Sequence, residues 1–269
     1  MKDINGKLVL VTGGASGIGR LMCLGFAEKK ARVVAWDLNA EALKSLEDEG
    51  REKGLFIRCM PCDVADRETV YRQAEKLKAE FGPVDVLVNN AGIVSGLVFL
   101  ETPDEKIRRT IDVNVLSLFW TCKAFLPSMV ERNSGHVVTI SSAAGLIGVK
   151  GLADYSASKF AAFGFDESLR MELKRRKSKV RTTVVCPFFI DTGMFLGVKT
   201  RVPFLLPILK SGYAARRIIG AVLKNKQRLI MPRFVHAVFF LRFLPVWALD
   251  LVADFFGISR AMDEFVGRP

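Results

Sequence analysis

The run Thr12-Gly13-Gly14-Ala15-Ser16-Gly17-Ile18-Gly19 follows directly on a short apolar stretch, Lys7 to Val11, and opens a segment with helical periodicity. A strand that turns sharply into a helix needs residues without Cβ strain at the turn, and glycine supplies them. Backbone N–H groups at such a helix start suit a pyrophosphate, provided that no side chain blocks its approach. Gly13 would permit the turn, Gly17 the close approach and Gly19 the packing of helix on strand, with Ser16 and Ile18 completing the loop. The G-x-x-x-G-x-G spacing alone is a weak signal; its place between strand and helix gives it weight.

The same alternation continues downstream. Strand-like runs at Leu8 to Val11, Val33 to Trp36, Leu55 to Cys59, Val84 to Val88, Val137 to Ile140 and Thr182 to Val185 alternate with helical stretches. Short apolar strands separated by helices predict an α/β fold: one Rossmann-type, doubly wound parallel sheet with helices on both faces. A chain of 269 residues, 50% of them hydrophobic, is long enough for one large unit with a sizeable core. We expect a catalytic domain over residues 1–230 and a helical extension over 231–269.

The second strand ends at Asp37, about 20 residues after the glycines, where an acid would accept hydrogen bonds from the adenosine 2′- and 3′-hydroxyls. A carboxylate there repels a 2′-phosphate, so NAD is favoured over NADP. Two residues qualify this reading: Asp37 alternatively caps the helix starting near Ala40, and Arg20, close to the loop, argues for NADP.

Tyr155 and Lys159 are spaced i, i+4 and share one face of a helix. A phenol titrates near ~10, so acid/base work close to neutrality needs its pKa lowered by about 2–3 units. An adjacent ammonium and a positive nicotinamide would supply that. Ser142, 13 residues earlier, would hold the reacting oxygen, and Asn114 would bind a water that links Lys159 to solvent. Each residue alone has an ordinary structural explanation; all four in this order make a constellation.

With these pieces in hand, the chain resembles the short-chain dehydrogenase/reductase family. The resemblance rests on Thr12-Gly13-x-x-x-Gly17-Ile18-Gly19, Asp63-Val64, Asn89-Asn90-Ala91-Gly92, Asn114, Ser142, Tyr155-x-x-x-Lys159 and Pro187 to Thr192. It implies that Asp63 and Val64 flank the adenine, that Asn90, Ala91 and Gly92 line the cofactor's ribose, and that Pro187, Ile190 and Thr192 meet the nicotinamide end. The family commonly has Pro-Gly where this chain has Pro187-Phe188. Phe188 to Met194 and the closing Ala261 to Arg268 are similar to the branch of retinol dehydrogenases and 17β-hydroxysteroid dehydrogenases, the epidermal retinol dehydrogenase group above all. Members of that branch usually begin with a hydrophobic anchor that is not seen here, so their membrane topology is not carried over. The resemblance also implies a homodimer or homotetramer paired through helices near 104–130 and 154–176.

Candidate substrate walls are Val94, Leu146, Ile147, Leu152, Phe188, Phe189 and Phe195, with Val202 to Pro207 as a lid. Almost none can pair with a charge, so a lipophilic alcohol or ketone fits better than a sugar or an acid. From Lys199 onward, twelve basic residues stand against four acidic ones among the aromatics Phe234, Phe239, Phe240, Phe243, Trp247, Phe255 and Phe256. Basic residues beside an apolar face suit peripheral contact with an anionic membrane, while closure over the substrate cleft is the equal alternative. Residues 234–249 are too short and too interrupted, by Arg242 and Pro245, to span a bilayer. Five cysteines and the absence of a signal-peptide pattern point to a reducing, cytoplasmic setting; Cys59-x-x-Cys62 carries no second ligand pair, so no metal is expected, and nucleic-acid binding lacks a recognised fold. The expected activity is NAD-dependent interconversion of a bulky apolar alcohol and its carbonyl. An NADP-linked carbonyl reductase and a dinucleotide-binding lipid-surface protein without turnover are the alternatives.

Overall fold

Strands that are apolar at every position are stable only when both faces are covered, and helices must therefore flank them. A computed structural model, which describes residues 3–267, has this arrangement. The chain runs β1 (Leu8–Thr12), α1 (Gly17–Ala27), β2 (Arg32–Asp37), α2 (Ala40–Glu52), β3 (Ile57–Pro61), α3 (Arg67–Phe81), β4 (Val86–Asn89), α4 (Asp104–Ile111) and α5 (Ser117–Glu131). It continues through β5 (His136–Ile140), α6 (Ala153–Arg175), β6 (Arg181–Pro187), α7 (Ser211–Leu223), β7 (Arg228–Met231), α8 (Ala237–Leu241) and α9 (Val246–Phe255).

All seven strands pair in parallel in the order β3-β2-β1-β4-β5-β6-β7. One face is covered by α1, α2 and α7 through Met22, Phe26, Leu46, Ile218 and Val222. The other is covered by α3, α5 and α6 through Val70, Leu77, Phe125, Met129 and Leu173. Full burial of side chains of this size stabilises by about 1.5–3 kcal/mol each. After β3 the chain crosses back to place β4 beside β1, so the winding reverses between them. At such a reversal the loops diverge, leaving a crevice at the carboxyl ends of the strands.

The structure adds one strand and moves another. Arg228–Met231 pairs with β6 as an edge strand; at four residues inside a basic stretch it gave no alternating signal. The third strand lies two residues later than expected and ends on Pro61, which an edge position tolerates. A π-helical turn, Asp112–Leu116, joins α4 to α5. The combined run Asp104–Glu131 is long and apolar enough to cross a membrane by length and composition, but 44% of its most apolar window is buried, with Phe125 and Met129 in the core. The apolar stretch after Arg233 splits into a 3₁₀ turn, the 5-residue α8 and the 10-residue α9.

Part of the basic surplus of this tail lies beside its aromatics, as with Arg228 over Phe239, and part of it is paired. Lys199 pairs with Glu264 at 2.6 Å and Arg228 with Glu167 at 2.6 Å. Arg242 donates to the Leu146 carbonyl at 3.1 Å and lies over Phe160, while Arg201 lies over Phe255. Much of the charge therefore serves local contacts.

Candidate active site

The ends of β1, β2, β4, β5 and β6 frame one cavity of about 300 Å³. The glycine loop enters it in two ways. Gly13 has φ +61°, and a Cβ there would come within 2.8 Å of the Ala91 Cα; a Cβ on Gly19 would run into the Gly13 carbonyl. These two glycines let the loop pack on the segment after β4. Gly17, with φ +54°, lines the cavity beside Ser16 and Ile18 and leaves its surface to backbone. The Asn90 Nδ2 donates to the carbonyls of Thr12 (2.9 Å) and Gly13 (3.0 Å). The Thr12 hydroxyl in turn accepts from the backbone N–H groups of Asn90 (3.0 Å) and Ala91 (3.1 Å). Thr12 and Asn90 thus fix the loop's shape, a role that spacing alone did not reveal for Thr12.

At one end of the cavity Asp37 accepts from the Ala15 and Asn39 backbone N–H groups, each at 3.0 Å. It does not cap α2; Asn39 does, by accepting from the Ala42 N–H. Arg20 is drawn the other way, to Glu49 at 2.6 Å and to Ser45. Lys53 and Arg20 hold the Glu49 carboxyl below the usual carboxylate range, so it stays charged as their partner. Among the described residues, the basic ones lining the cavity are Arg109 and Lys159. Arg109, on α4, grips both oxygens of Asp63 at 3.0 and 3.1 Å, with Val64 alongside; nothing in the sequence had singled it out.

At the other end α6 brings Tyr155 and Lys159 to Ser142, which follows β5. The Lys159 Nζ lies 5.5 Å from the Tyr155 ring centre and donates to the Ile140 carbonyl at 2.9 Å. The Ser142 hydroxyl accepts from the Ala144 N–H at 3.1 Å, donates to the Pro187 carbonyl at 3.5 Å and lines the cavity together with Tyr155. Burial pushes the Tyr155 phenol up to about 12, opposed by Ser142, and pushes the Lys159 ammonium down to about 8. The protein alone therefore moves the phenol away from neutrality, opposite to the lowering that the chemistry needs. A positive charge beside the ring favours the ionised phenol and so opposes the effect of burial.

Asn114 sits in the π-helical turn, a feature frequent at functional sites. It does not line the cavity. Its amide donates to the Ile93 carbonyl and to the Ser158 hydroxyl, both at 2.9 Å, and its Oδ1 accepts from the Ile93 N–H at 2.8 Å. A Cβ on Gly92 would lie 3.3 Å from both this Oδ1 and the Lys159 Nζ. The second lone pair on Oδ1 is the one place on this side chain where a water would bind.

The cavity continues between Ile147, Leu152, Phe188, Phe189 and Phe195, joined by Val149, Met194 and Ile258, while Pro187, Ile190 and Thr192 border its middle. Val94 does not line it and packs instead against the cluster around Tyr155 and Phe189. Leu146 is in the core, and Leu206 of the expected lid borders a small apolar pocket behind Phe188 and Phe189. Ile258 was missed because it follows α9, far along the chain from every motif.

A profile of the short chain dehydrogenase family matches residues 7–201. The chain belongs to this family. It is 49% identical over 270 residues to human epidermal retinol dehydrogenase 2, spanning 99% of this chain and 87% of that one. Bovine short-chain dehydrogenase/reductase family 16C member 6 is 47% identical over 270 residues, spanning 99% and 85%. A solved short chain dehydrogenase/reductase from Burkholderia phymatum, in complex with NAD, shares the fold at a TM-score of 0.82 with 24% identity, covering 90% of this chain and 95% of that one.

Burial also quenches two cysteines and a histidine of this dehydrogenase. Cys59 and Cys62 are both pushed up to about 12, opposite to a redox-active thiol, and among the described residues no group of three or more His, Cys, Asp or Glu could hold a metal. His136 is pushed down to about 3 by burial and bonds Thr183 at 2.7 Å.

Proposed function

We propose that this dehydrogenase interconverts a lipophilic alcohol and its carbonyl with NAD. The observation that carries the reading is the gathering of Ser142, Tyr155 and Lys159 in one cavity whose far end presents Asp37 and whose other walls are aromatic and aliphatic. The cavity fits the dinucleotide: Gly17 leaves backbone facing it, Asp37 can still accept hydrogen bonds, and no basic side chain beside Asp37 is available for a 2′-phosphate because Arg20 is held by Glu49. Asp63 and Val64 would hold the adenine, Asn90, Ala91 and Gly92 the ribose, and Pro187, Ile190 and Thr192 the nicotinamide end. When bound, the nicotinamide supplies the hydride acceptor.

The protein's own residues handle the proton. The Tyr155 Oη takes it from the substrate hydroxyl, Ser142 Oγ orients that oxygen, and the Lys159 ammonium favours the phenolate. Asn114 holds the segment after β4 against α6 and offers its Oδ1 to a relay water. Ile147, Leu152, Phe188, Phe189 and Phe195 exclude bulk water around the apolar substrate. Retinol is a fitting probe because the similar human protein is named a retinol dehydrogenase. Purified protein should form NADH with retinol, hydroxysteroids or long-chain secondary alcohols, preferring NAD to NADP. NAD binding without turnover of any of them would contradict the reading.

Two features of the surface bear on partners. No residue of α9 is buried, and Phe243 and Trp247 are 88% and 68% exposed, which supports peripheral attachment to a lipid surface. Flotation with anionic vesicles should drop in a Phe243→Ser, Trp247→Ser variant; equal flotation would rule this attachment out. Phe119 on α5 and Met171 on α6 face outward and support pairing of two copies along these helices.

A further inference from the structure

The last described segment of the chain, Ala261–Gly267, packs against the cluster that holds Tyr155, and two glycines make space for it. Gly96, with φ +68°, lies directly under the Phe265 ring, where a Cβ would collide with it. Gly197, with φ +89°, lies against the Glu264 carbonyl and the Val266 N–H, again with no space for a Cβ. Two loops far apart in sequence thus carry a glycine where the tail touches them. Backbone bonds fix the register: the N–H groups of Val266 and Gly267 donate to the Leu196 carbonyl at 2.9 and 3.3 Å. Lys150 pairs with Asp263 at 2.9 Å and Lys199 with Glu264 at 2.6 Å. Exposed pairs of this kind orient a segment more than they hold it.

The tail ends against the catalytic tyrosine through one intermediary. Phe265 meets Phe195 with ring centres 6.4 Å apart, and Phe195 meets the Tyr155 ring edge-on at 5.6 Å. Both separations fall within the range in which aromatic rings orient one another. Ala261 and Met262 are buried in the same cluster as Tyr155. We infer that Phe265 is a positioning residue: by backing Phe195 it sets the angle and the dryness of Tyr155, so that the C-terminal tail is a working part of the active site. The inference deepens the dehydrogenase reading and rests on it for its kinetic consequence only.

Phe265 is half-buried at the surface, so Phe265→Ala should leave the fold intact, as a circular dichroism spectrum and melting curve would verify. The sequence has 3 tyrosines, Tyr71, Tyr155 and Tyr213, so a protein labelled with ¹³C at the tyrosine Cζ gives few signals, and Tyr155→Phe assigns the relevant one. Phe265→Ala is expected to shift the Tyr155 signal and, by admitting water, to bring its titration down from about 12 toward the ordinary phenol value, with Tyr71 and Tyr213 unmoved. With an alcohol that the wild type oxidises, kcat/KM should fall about tenfold with NAD affinity unchanged. Phe265→Leu should restore part of both effects. An unmoved Tyr155 signal in Phe265→Ala would overturn the inference whatever the kinetics. If the wild type turns over no alcohol while that signal moves, the positioning role stands and the dehydrogenase reading is what fails.

Discussion

Tyr155→Phe is expected to lower kcat/KM for alcohol oxidation by about 10²–10⁴-fold, or about 3–5 kcal/mol of transition-state stabilisation, with NAD affinity largely unchanged. The variant removes one oxygen and nothing else. Its ring keeps the contacts that Tyr155 makes with Phe195 and with the cluster of Leu152, Ala144 and Phe189, so no cavity opens and no backbone moves. The dinucleotide end of the cavity, at Asp37 and the glycine loop, lies at the opposite extreme and is untouched. What is lost is the oxygen proposed to take the substrate's proton. Burial holds that phenol at about 12 in the protein alone, so turnover depends on the Lys159 charge, 5.5 Å from the ring centre, together with that of the bound nicotinamide. The check is steady-state kinetics beside a fluorescence titration with NAD. Turnover within tenfold of wild type would remove Tyr155 from the mechanism.

The second large effect concerns stability. Asp166 is 1% exposed on the inner face of α6; its Oδ2 accepts from the Thr182 hydroxyl at 3.3 Å, while its Oδ1 has no partner. Burial pushes its carboxyl up to about 7, against the pull of Thr182, Arg170 and Thr139, with Glu167 pushing the same way as burial. The folded state therefore holds this proton more tightly than the unfolded state does. Its contribution is intact below the unfolded pKa, near 3.8, and stability declines as pH rises toward the folded value of about 7. The full loss is on the order of 4 kcal/mol. Asp166→Asn retains an acceptor for Thr182 and never ionises. Its stability advantage over wild type should be larger at pH 9 than at pH 5, by roughly 2–3 kcal/mol, read as the difference between denaturant midpoints. The same difference at both pH values would show that Asp166 is not ionising inside the fold.

The parts of this protein that follow a local rule were readable from its sequence. Period and length marked six of the strands, and the glycine loop announced itself by standing between strand and helix. Tyr155 and Lys159 shared a helical face by spacing alone. What escaped depends on contacts between distant segments, for which the sequence carries no periodic signal. Arg109 matters because α4 brings it to Asp63, 46 residues away. Arg20 stood near the loop in sequence and pointed to NADP, until Glu49, 29 residues on, drew it aside. Phe265 and Ile258 reach the site from the end of the chain. Val94 went the other way: it is close to the Asn90-Ala91-Gly92 turn, yet it packs behind the cavity wall, against the cluster of Tyr155 and Phe189, and does not line the cavity. The upward push of burial on the phenol was not legible, because desolvation depends on the whole fold.

One measurement tests the central claim most directly. A secondary alcohol deuterated at its carbinol carbon, and oxidised by the wild-type protein with NAD, should deliver its deuterium to the reduced cofactor, one label per carbonyl formed, by mass spectrometry. Tyr155→Phe should yield neither product at a comparable rate. Carbonyl formed without label on the cofactor, or label found in water, would contradict direct hydride transfer in this site.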